Sequence, residues 1–210
     1  MSEVSLFKDL GILVSNDLKW SNHIDSIFHK ASITLYQITK SFNSKNIWTW
    51  LKLFNTYIRP KVEFNTPVWS PHLIRDINKI ESIQRKFTKF VFNKCNIPYS
   101  SYENRLSQIG YLSLRQRRKY FDLILMFKII NNMSDIHFHD YFLLSTSIYC
   151  LRSHDLQIKP KISFKCSQWE NSFFGRISSI WNTLPVKIVT STSLNVFKFR
   201  LKIYLSQVPA

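Results

Sequence analysis

The sequence predicts a mainly α-helical protein, a multi-helix bundle with a short N-terminal β-strand or hairpin. Apolar residues recur every three or four positions through most of the chain, as in amphipathic helices. Glycine is scarce, with 3 residues where average usage would give about 15. Because glycine supplies the positive φ angles of tight turns, so few glycines predict few such turns. Hydrophobic residues form 45% of the chain, which is enough for a buried core.

Residues 4–14 alternate in the manner of a β-strand. One side of the alternation is apolar, and Gly11 lies within the run, which indicates a bulge or the close approach of another backbone. A single strand leaves its backbone N–H and C=O groups unpaired, so we expect this segment to need a partner. The apolar residues of that side are Val4, Leu6, Leu10, Ile12 and Val14.

Helical spacing begins at Trp20 and continues for about six turns. Ser21 is a candidate N-cap for this helix, and a second helix is predicted to start at Asn43 or Ser44. Three prolines then predict an extended connector over residues 60–73, because proline disrupts a helix interior and restricts the residue before it.

Residues 74–92 form the clearest predicted helix. At about 100° per residue its apolar side chains share one face, and its basic side chains lie within an arc of about 120° on the other. An ordinary solvated helix mixes charges of both signs, so a face with almost no interleaved acid is a candidate anion-binding surface. The basic residues of this face are Arg75, Lys79, Arg85, Lys86 and Lys89.

A short helix is predicted near residues 101–109, with Gly110 as its C-cap. The next helix follows Ser113 and is apolar on nearly all sides over residues 120–130, so it is predicted to be the buried central element. Its first turns contain Arg115, Arg117 and Arg118. Cations at a helix N-terminus oppose the macrodipole, and a positive helix start therefore indicates a phosphate site.

The last third of the chain is less periodic. Residues 134–168 predict a loop and a possible strand over 156–158, and helices are predicted again over 169–183 and 193–205. Three of the tryptophans, Trp48, Trp69 and Trp181, occupy apolar-patterned positions, so packing is a better interpretation for them than stacking on bases.

The charge of the chain favours a polyanionic partner. Lys and Arg number 29 against 13 Asp and Glu, a formal net charge of +16, and both halves are basic. Nucleic acid and an anionic membrane surface both fit such a field. Part of the lysine excess is also explained by A/T-rich codons, since Asn, Ile, Phe and Tyr are abundant as well. We favour nucleic acid.

The compartment is predicted to be intracellular, in the cytoplasm or nucleus. Three scattered cysteines indicate a reducing environment without a disulfide framework. The N-terminus lacks the order of a signal peptide, so secretion is not expected. No apolar run approaches 18 residues, so no membrane span is expected either.

Catalytic motifs are missing from the sequence. Two-metal phosphoryl transfer needs paired carboxylates, and the chain has no adjacent acidic pair, so we predict no catalytic residue and no bound metal or cofactor. No nucleotide-binding or nucleophile-elbow motif occurs. Zinc is the weaker alternative, because the Cys-x2–4-Cys pair of structural sites is absent. The side chains considered for zinc are Cys150, His154 and Cys166, with His137 and His139 upstream.

A series of short motifs, in constant order, resembles the end of the palm, the thumb and the tail of reverse transcriptases from non-LTR, LINE-type retrotransposons. Each motif is weak alone, and together they cover essentially the whole chain. The motifs are residues 7–12 (FKDLGI), 18–24 (LKWSNHI), 57–60 (YIRP), 63–64 (EF), 67–69 (PVW), 80–89 (IESIQRKFTK), 102–106 (YENRL), 110–114 (GYLSL), 117–118 (RR), 152–154 (RSH), 172–176 (SFFGR), 181–185 (WNTLP) and 197–198 (FK).

The resemblance implies an end-of-palm strand over residues 1–18, a thumb-like helical domain over 19–132 and a helical tail over 133–210. Leu10 and Gly11 would belong to a strand near the primer end. The expected partners are RNA or an RNA–DNA duplex, and the missing fingers and palm. The paired aspartates that hold Mg²⁺ in such a polymerase are absent, so we expect no polymerase activity from this chain alone. The expected phosphate contacts are Lys79, Arg85, Lys86, Lys89, Arg115, Arg117 and Arg118.

Two other interpretations stay open at this point. The chain could be a decayed or retained reading frame with no role in nucleic-acid binding. It could also be a helical protein-interaction module, with exposed Trp and Phe side chains docking a partner.

Overall fold

The computed structural model describes residues 5–145 and 156–208, and it is mainly helical, as the sequence predicts. The chain divides into two compact units, and each is described by itself. The first contains the described residues up to Asn65 together with Pro71–Arg117. The second contains Thr66–Ser70 and the described residues from Arg118 onward. These units do not test the predicted end-of-palm, thumb-like and tail divisions, which stay a prediction.

An antiparallel hairpin begins the first unit. Strand β1, Leu6–Asp9, pairs with β2, Ile12–Ser15, and the turn between them has φ angles of 43° at Leu10 and 89° at Gly11. The hairpin alternative of the predicted N-terminal strand or hairpin is therefore confirmed, and residues 4–14 do not form one continuous strand. A two-residue turn with positive φ at both positions reverses the chain and gives each strand a paired neighbour.

Helix α1, Ser21–Ser41, follows the hairpin, and it buries the apolar stripe that its periodicity predicts. Ser21 is not its cap, because the helix starts at Ser21 itself and the Ser21 Oγ donates instead to Asp76 Oδ2 at 2.7 Å. Helix α2, Ile47–Leu53, starts later than expected and is capped by Asn46, whose side chain accepts from the backbone N–H of Trp48.

The chain is mostly helical over residues 60–69, although an extended connector was expected over residues 60–73, and within that range only residues 64–65 and 70–73 lie outside helices. A π-helical turn, Phe54–Ile58, leads into α3, Arg59–Glu63, and α4, Thr66–Trp69, follows as part of the second unit. The prolines at positions 60 and 67 lie in the first turns of α3 and α4. At the start of α4 proline is tolerated because the first N–H groups of a helix have no partner within it. Pro60 instead follows directly on the π-helical turn, in which the Arg59 N–H donates to Phe54 O.

The remaining helices of the first unit agree with the predicted pattern. Helix α5 spans Ile74–Lys94, α6 spans Tyr102–Ile109 and α7 spans Leu114–Ile130. Ser101 caps α6, and Gly110 ends it with a φ of 67°, which is the C-cap that the sequence predicts.

The second unit is built on α7 from Arg118 onward. Leu123, Met126 and Phe127 of this helix are almost fully buried, and Phe127 stacks on Phe197 with ring centroids 4.3 Å apart. The following elements are α8 (Phe138–Tyr141), β3 (Phe142–Leu144), β4 (Ile158–Pro160), α9 (Ser167–Asn171), α10 (Phe173–Asn182), α11 (Val186–Val189) and α12 (Leu194–Gln207).

Two details of this unit differ from the predicted elements. The single helix expected over residues 169–183 is broken at Ser172, whose extended backbone and side chain cap α10. The possible strand near 156–158 is present two residues later, as β4, and it pairs with β3. The Asn182 side chain also binds the first residue of β4. It donates to Ile158 O and accepts from Ile158 N, at 2.9 Å each.

Left-handed backbone in the described residues is not confined to glycine, since five other positions have a positive φ. Three are asparagines just after helices, and asparagine tolerates this region better than most residues because its short side chain bonds locally. Among the described residues, β1 and β2 are joined by a two-residue turn with positive φ at both positions, so such tight turns are few, as the glycine content predicts. The five residues are Leu10, Leu18, Asn65, Asn96 and Asn132.

Candidate nucleic-acid interface

Helix α5 separates its apolar and basic side chains onto opposite faces. The inward face packs Ile80, Ile83, Phe87 and Val91, none of which is more than 1% exposed. The outward face is called the α5 basic face below. It consists of Arg75, Lys79, Arg85, Lys86 and Lys89.

Contacts from α1 fix one side of the α5 basic face. The Lys79 ammonium pairs with Asp25 at 2.6 Å and lies 5.4 Å from the centre of the Phe28 ring. Lys86 Nζ lies 5.5 Å from the centre of the same ring. One aromatic ring thus orients two lysines that lie about two turns apart on α5, an arrangement that cation–π attraction favours.

Three of the four exposed cations of the α5 basic face are available to an anion, whereas the fourth, Arg75, pairs with Asp76 at 3.4 Å. No carboxylate in the described part of the chain pairs with Arg85, Lys86 or Lys89. The Arg85 guanidinium lies 5.1 Å from the centre of the Tyr102 ring, which holds it against the surface without neutralising it. Ten residues of helix, from Lys79 to Lys89, span about 15 Å, which is about four base-pair steps of a duplex.

The start of α7 does not offer the phosphate site that was predicted there. The buried Glu81 carboxylate accepts from the backbone N–H groups of Leu114 and Arg115 at 3.1 Å each. It also accepts from the Tyr102 hydroxyl. Burial and the neighbouring carboxylate raise the pKa of Tyr102 above its usual range, so this phenol stays a donor. An internal anion thus occupies the positive helix end.

The three arginines of that helix start have different surroundings. Arg115 is exposed, whereas Arg118 is only 3% exposed. Arg117 forms a bidentate ion pair with Glu63, in which Nε donates to Oε1 and Nη2 donates to Oε2 at 2.6 Å. Arg59 lies 3.6 Å from the same carboxylate. The side chains of Arg117 and Arg118 are therefore used inside the fold, and only Arg115 remains exposed among the three.

Leu10 and Gly11 lie on the hairpin turn and not within a strand. Leu10 is 84% exposed, and a Cβ added to Gly11 would lie 3.9 Å from the Phe64 ring. Their predicted position near a primer end concerns a complex with a polymerase palm and nucleic acid, and it stays a prediction.

One expectation about a single side chain is wrong. Trp48 is 67% exposed, although its pattern indicated packing, whereas Trp69 and Trp181 are fully buried as predicted. Of the two histidines of α1, His29 is exposed and His23 is buried. Its Nδ1 accepts from the backbone N–H of Leu13 at 3.2 Å and so ties β2 to α1.

Burial, with a smaller contribution from Lys30, lowers the pKa of His23 to about 4. Its pKa in the unfolded chain is near 6.5, so the unfolded state takes up a proton first as the pH falls. The free energy of unfolding should therefore decrease by about 2–3 kcal/mol from this residue between pH 6.5 and 4. Urea unfolding across that range tests the prediction. His23→Gln should flatten the profile, and His29→Gln should leave it unchanged; equal profiles for the two variants would contradict it.

No group of three or more potential metal ligands gathers among the described residues. Cys166 is exposed, whereas Cys150 and His154 lie outside the described residues. The zinc alternative that includes them therefore stays a prediction. Across the described ranges, none of the helices has both the length and the apolar character needed to cross a membrane.

Comparison with known proteins identifies one relative in a nematode. Over 141 residues the chain is 26% identical to "Uncharacterized protein B0403.1" of Caenorhabditis elegans, an alignment that covers 66% of this chain and 69% of that protein. No family model matches the chain. No solved structure matches it. This level of identity does not assign the chain to a family.

Proposed function

We propose that the chain binds RNA or RNA–DNA duplexes through the α5 basic face, as the thumb and tail part of a non-LTR retrotransposon reverse transcriptase. The observation that carries the proposal is the group of three exposed, unneutralised cations at Arg85, Lys86 and Lys89. Contacts of this kind neutralise backbone phosphates and do not read bases. Lys79, which lies beside them, adds to the positive charge of the face. The exposed Arg115 is a further candidate for a phosphate contact.

The polymerase part of the proposal rests on the ordered motifs of the sequence. Several of them supply internal contacts: Arg59, Glu63 and Arg117 meet in one cluster, and Arg176 binds the buried Asp122. In this proposal the fingers and palm are the protein partner, and Mg²⁺ belongs to them. The chain works in the cytoplasm or nucleus and has no polymerase activity alone.

Neutralising the three exposed cations tests the interface. The triple variant Arg85→Gln, Lys86→Gln and Lys89→Gln should weaken binding of a labelled RNA–DNA hybrid by about 10–100-fold at low salt. The slope of log K against log salt concentration should become shallower by about 2–3, because each lost phosphate contact removes about one unit of slope. Fluorescence anisotropy over a salt series measures both quantities. Lys79 is left intact, since a change there would also break its pair with Asp25.

A control triple separates local contacts from net charge. Lys40→Gln, Lys45→Gln and Lys52→Gln remove the same charge from exposed positions of the same unit. This control should keep most of the affinity and the salt slope. If both triples lose affinity and slope equally, binding depends on overall charge and the α5 basic face is not the interface.

A further inference from the structure

Helix α12 is apolar on two opposite faces. Its inward face buries Phe197, Leu201 and Leu205, and the Phe197 ring lies between those of Phe127 and Trp181, at 4.3 and 6.1 Å between ring centroids. This face accounts for the packing of α12 within the second unit. The opposite face does not contribute to that packing.

The opposite face has apolar side chains at the spacing by which one helix packs on another. Phe199 is 68% exposed and Ile203 is 44% exposed, and the half-buried Val196 precedes them by one turn. These positions follow an i, i+3, i+7 spacing and fall within an arc of about 60° at 100° per residue. We call Val196, Phe199 and Ile203 the α12 outer stripe.

Positive charge borders the α12 outer stripe on both sides. Arg200 lies about 60° to one side and Lys202 about 90° to the other, and both are exposed. Arg200 also donates to Lys187 O at 2.5 Å, which fixes it beside the stripe. Residues 171–208 contain no acidic side chain at all, so nothing on this segment balances these cations.

We propose that the α12 outer stripe docks an acidic amphipathic helix of a partner protein. An apolar seam at this spacing accepts the apolar face of a second helix, as in helix-in-groove and coiled-coil recognition. Carboxylates on both flanks of the partner's apolar face would meet Arg200 and Lys202, and such flanking charges determine which partner is accepted.

Other occupants fit the surface less well. A second copy of this chain would bring Arg200 and Lys202 against like charges, which disfavours pairing through this face. A nucleic-acid backbone would use the cations and leave Phe199 and Ile203 exposed. A membrane surface needs a broad apolar face, but this stripe is narrow, and the other apolar face of α12 is buried in its own unit.

Synthetic peptide probes test the proposal with the full chain. The acidic probes are labelled helical peptides of about 18 residues with leucine or isoleucine along one face and glutamate on both flanks. A matched set carries lysine on the flanks. Anisotropy should show binding of acidic probes that weakens with salt, and at least about tenfold weaker binding of lysine probes.

Variants of α12 locate the binding. Phe199→Ser with Ile203→Ser should weaken binding of the acidic probe about tenfold or more, since large anchors dominate such contacts. Ile33→Ser, at an exposed isoleucine of α1, is the matched control and should have no effect. Arg200→Glu with Lys202→Glu should reverse the preference toward the lysine probes.

Several results would overturn the docking proposal: no binding of any acidic probe at about 1 mM, equal binding of both peptide sets, or displacement of the acidic probe by an RNA–DNA hybrid. Stronger binding of vesicles containing phosphatidylglycerol, abolished by the Phe199 and Ile203 changes, would assign the face to lipid and overturn it too. Failure of the docking proposal is distinguishable from failure of the α5 basic face, because the Arg200 and Lys202 variant should retain its affinity for the hybrid duplex.

Discussion

Replacing Arg176 by alanine should lower the free energy of unfolding of the second unit by about 3–5 kcal/mol, the range found when one partner of a buried ion pair is removed. Arg176 binds both carboxylate oxygens of Asp122, at 2.9 and 3.0 Å. Its other N–H groups donate to Asn171 O and Pro67 O. Burial raises the pKa of Asp122, and Arg176, with a smaller contribution from Arg118, opposes that rise, so without the Arg176 guanidinium the buried carboxyl group loses its main charge partner.

Chemical denaturation followed by circular dichroism measures this loss. Arg200→Ala, an exposed arginine of the same unit, should change stability by no more than about 0.5 kcal/mol. The paired change Arg176→Met with Asp122→Leu should recover much of the loss, because apolar residues of similar volume can replace a buried ion pair. A loss no larger for Arg176→Ala than for Arg200→Ala would show that the pair does not hold this unit together.

Replacing Glu81 by alanine should destabilise the first unit by about 2–4 kcal/mol, because it leaves buried donors without an acceptor. Glu81 accepts from the N–H groups of Leu114 and Arg115 and from the Tyr102 hydroxyl, and it is only 5% exposed. It also places a negative charge at the positive end of α7, beside several arginines that oppose the helix macrodipole.

Urea denaturation of the full chain again provides the measurement. Glu103→Ala, at an exposed acid in the first turn of α6, is the control and should cost no more than about 1 kcal/mol. Glu81→Gln should fall between the two, since an amide oxygen still accepts but carries no charge. Equal stabilities for Glu81→Ala and Glu103→Ala would mean that α7 does not depend on this carboxylate.

The elements governed by local pattern could be predicted from the sequence. The two faces of α5, the C-cap at Gly110 and the burial of Trp69 and Trp181 all follow from periodicity or from the backbone preference of one residue. The helical class followed for the same reason. The predicted helix boundaries were wrong where one residue type fits two situations. Proline disrupts the interior of a helix but is tolerated in its first turn, so α3 and α4 were not predicted.

The partners of charged side chains could not be predicted, because they join residues far apart in the chain. Arg117 looked like a phosphate ligand, but Glu63, 54 positions away, binds it. Nothing in the sequence indicated that the Glu81 carboxylate accepts from the first N–H groups of α7. The three exposed cations of the α5 basic face could be predicted, since their exposure depends mainly on the helix that carries them. Phe28 contacts Lys79 and Lys86. The sequence indicated this contact only through the place of Phe28 within the apolar run of α1.

The π-helical turn at Phe54–Ile58 affects how this chain should be aligned with its relatives. Such a turn holds one residue more than an α-helical turn, while the helices on either side keep their faces in phase. A homologue lacking one residue here would run straight from α2 into α3 with the same side chains facing the core. An alignment that forbids a single-residue gap at this place would pair core positions with surface positions over the whole of α3.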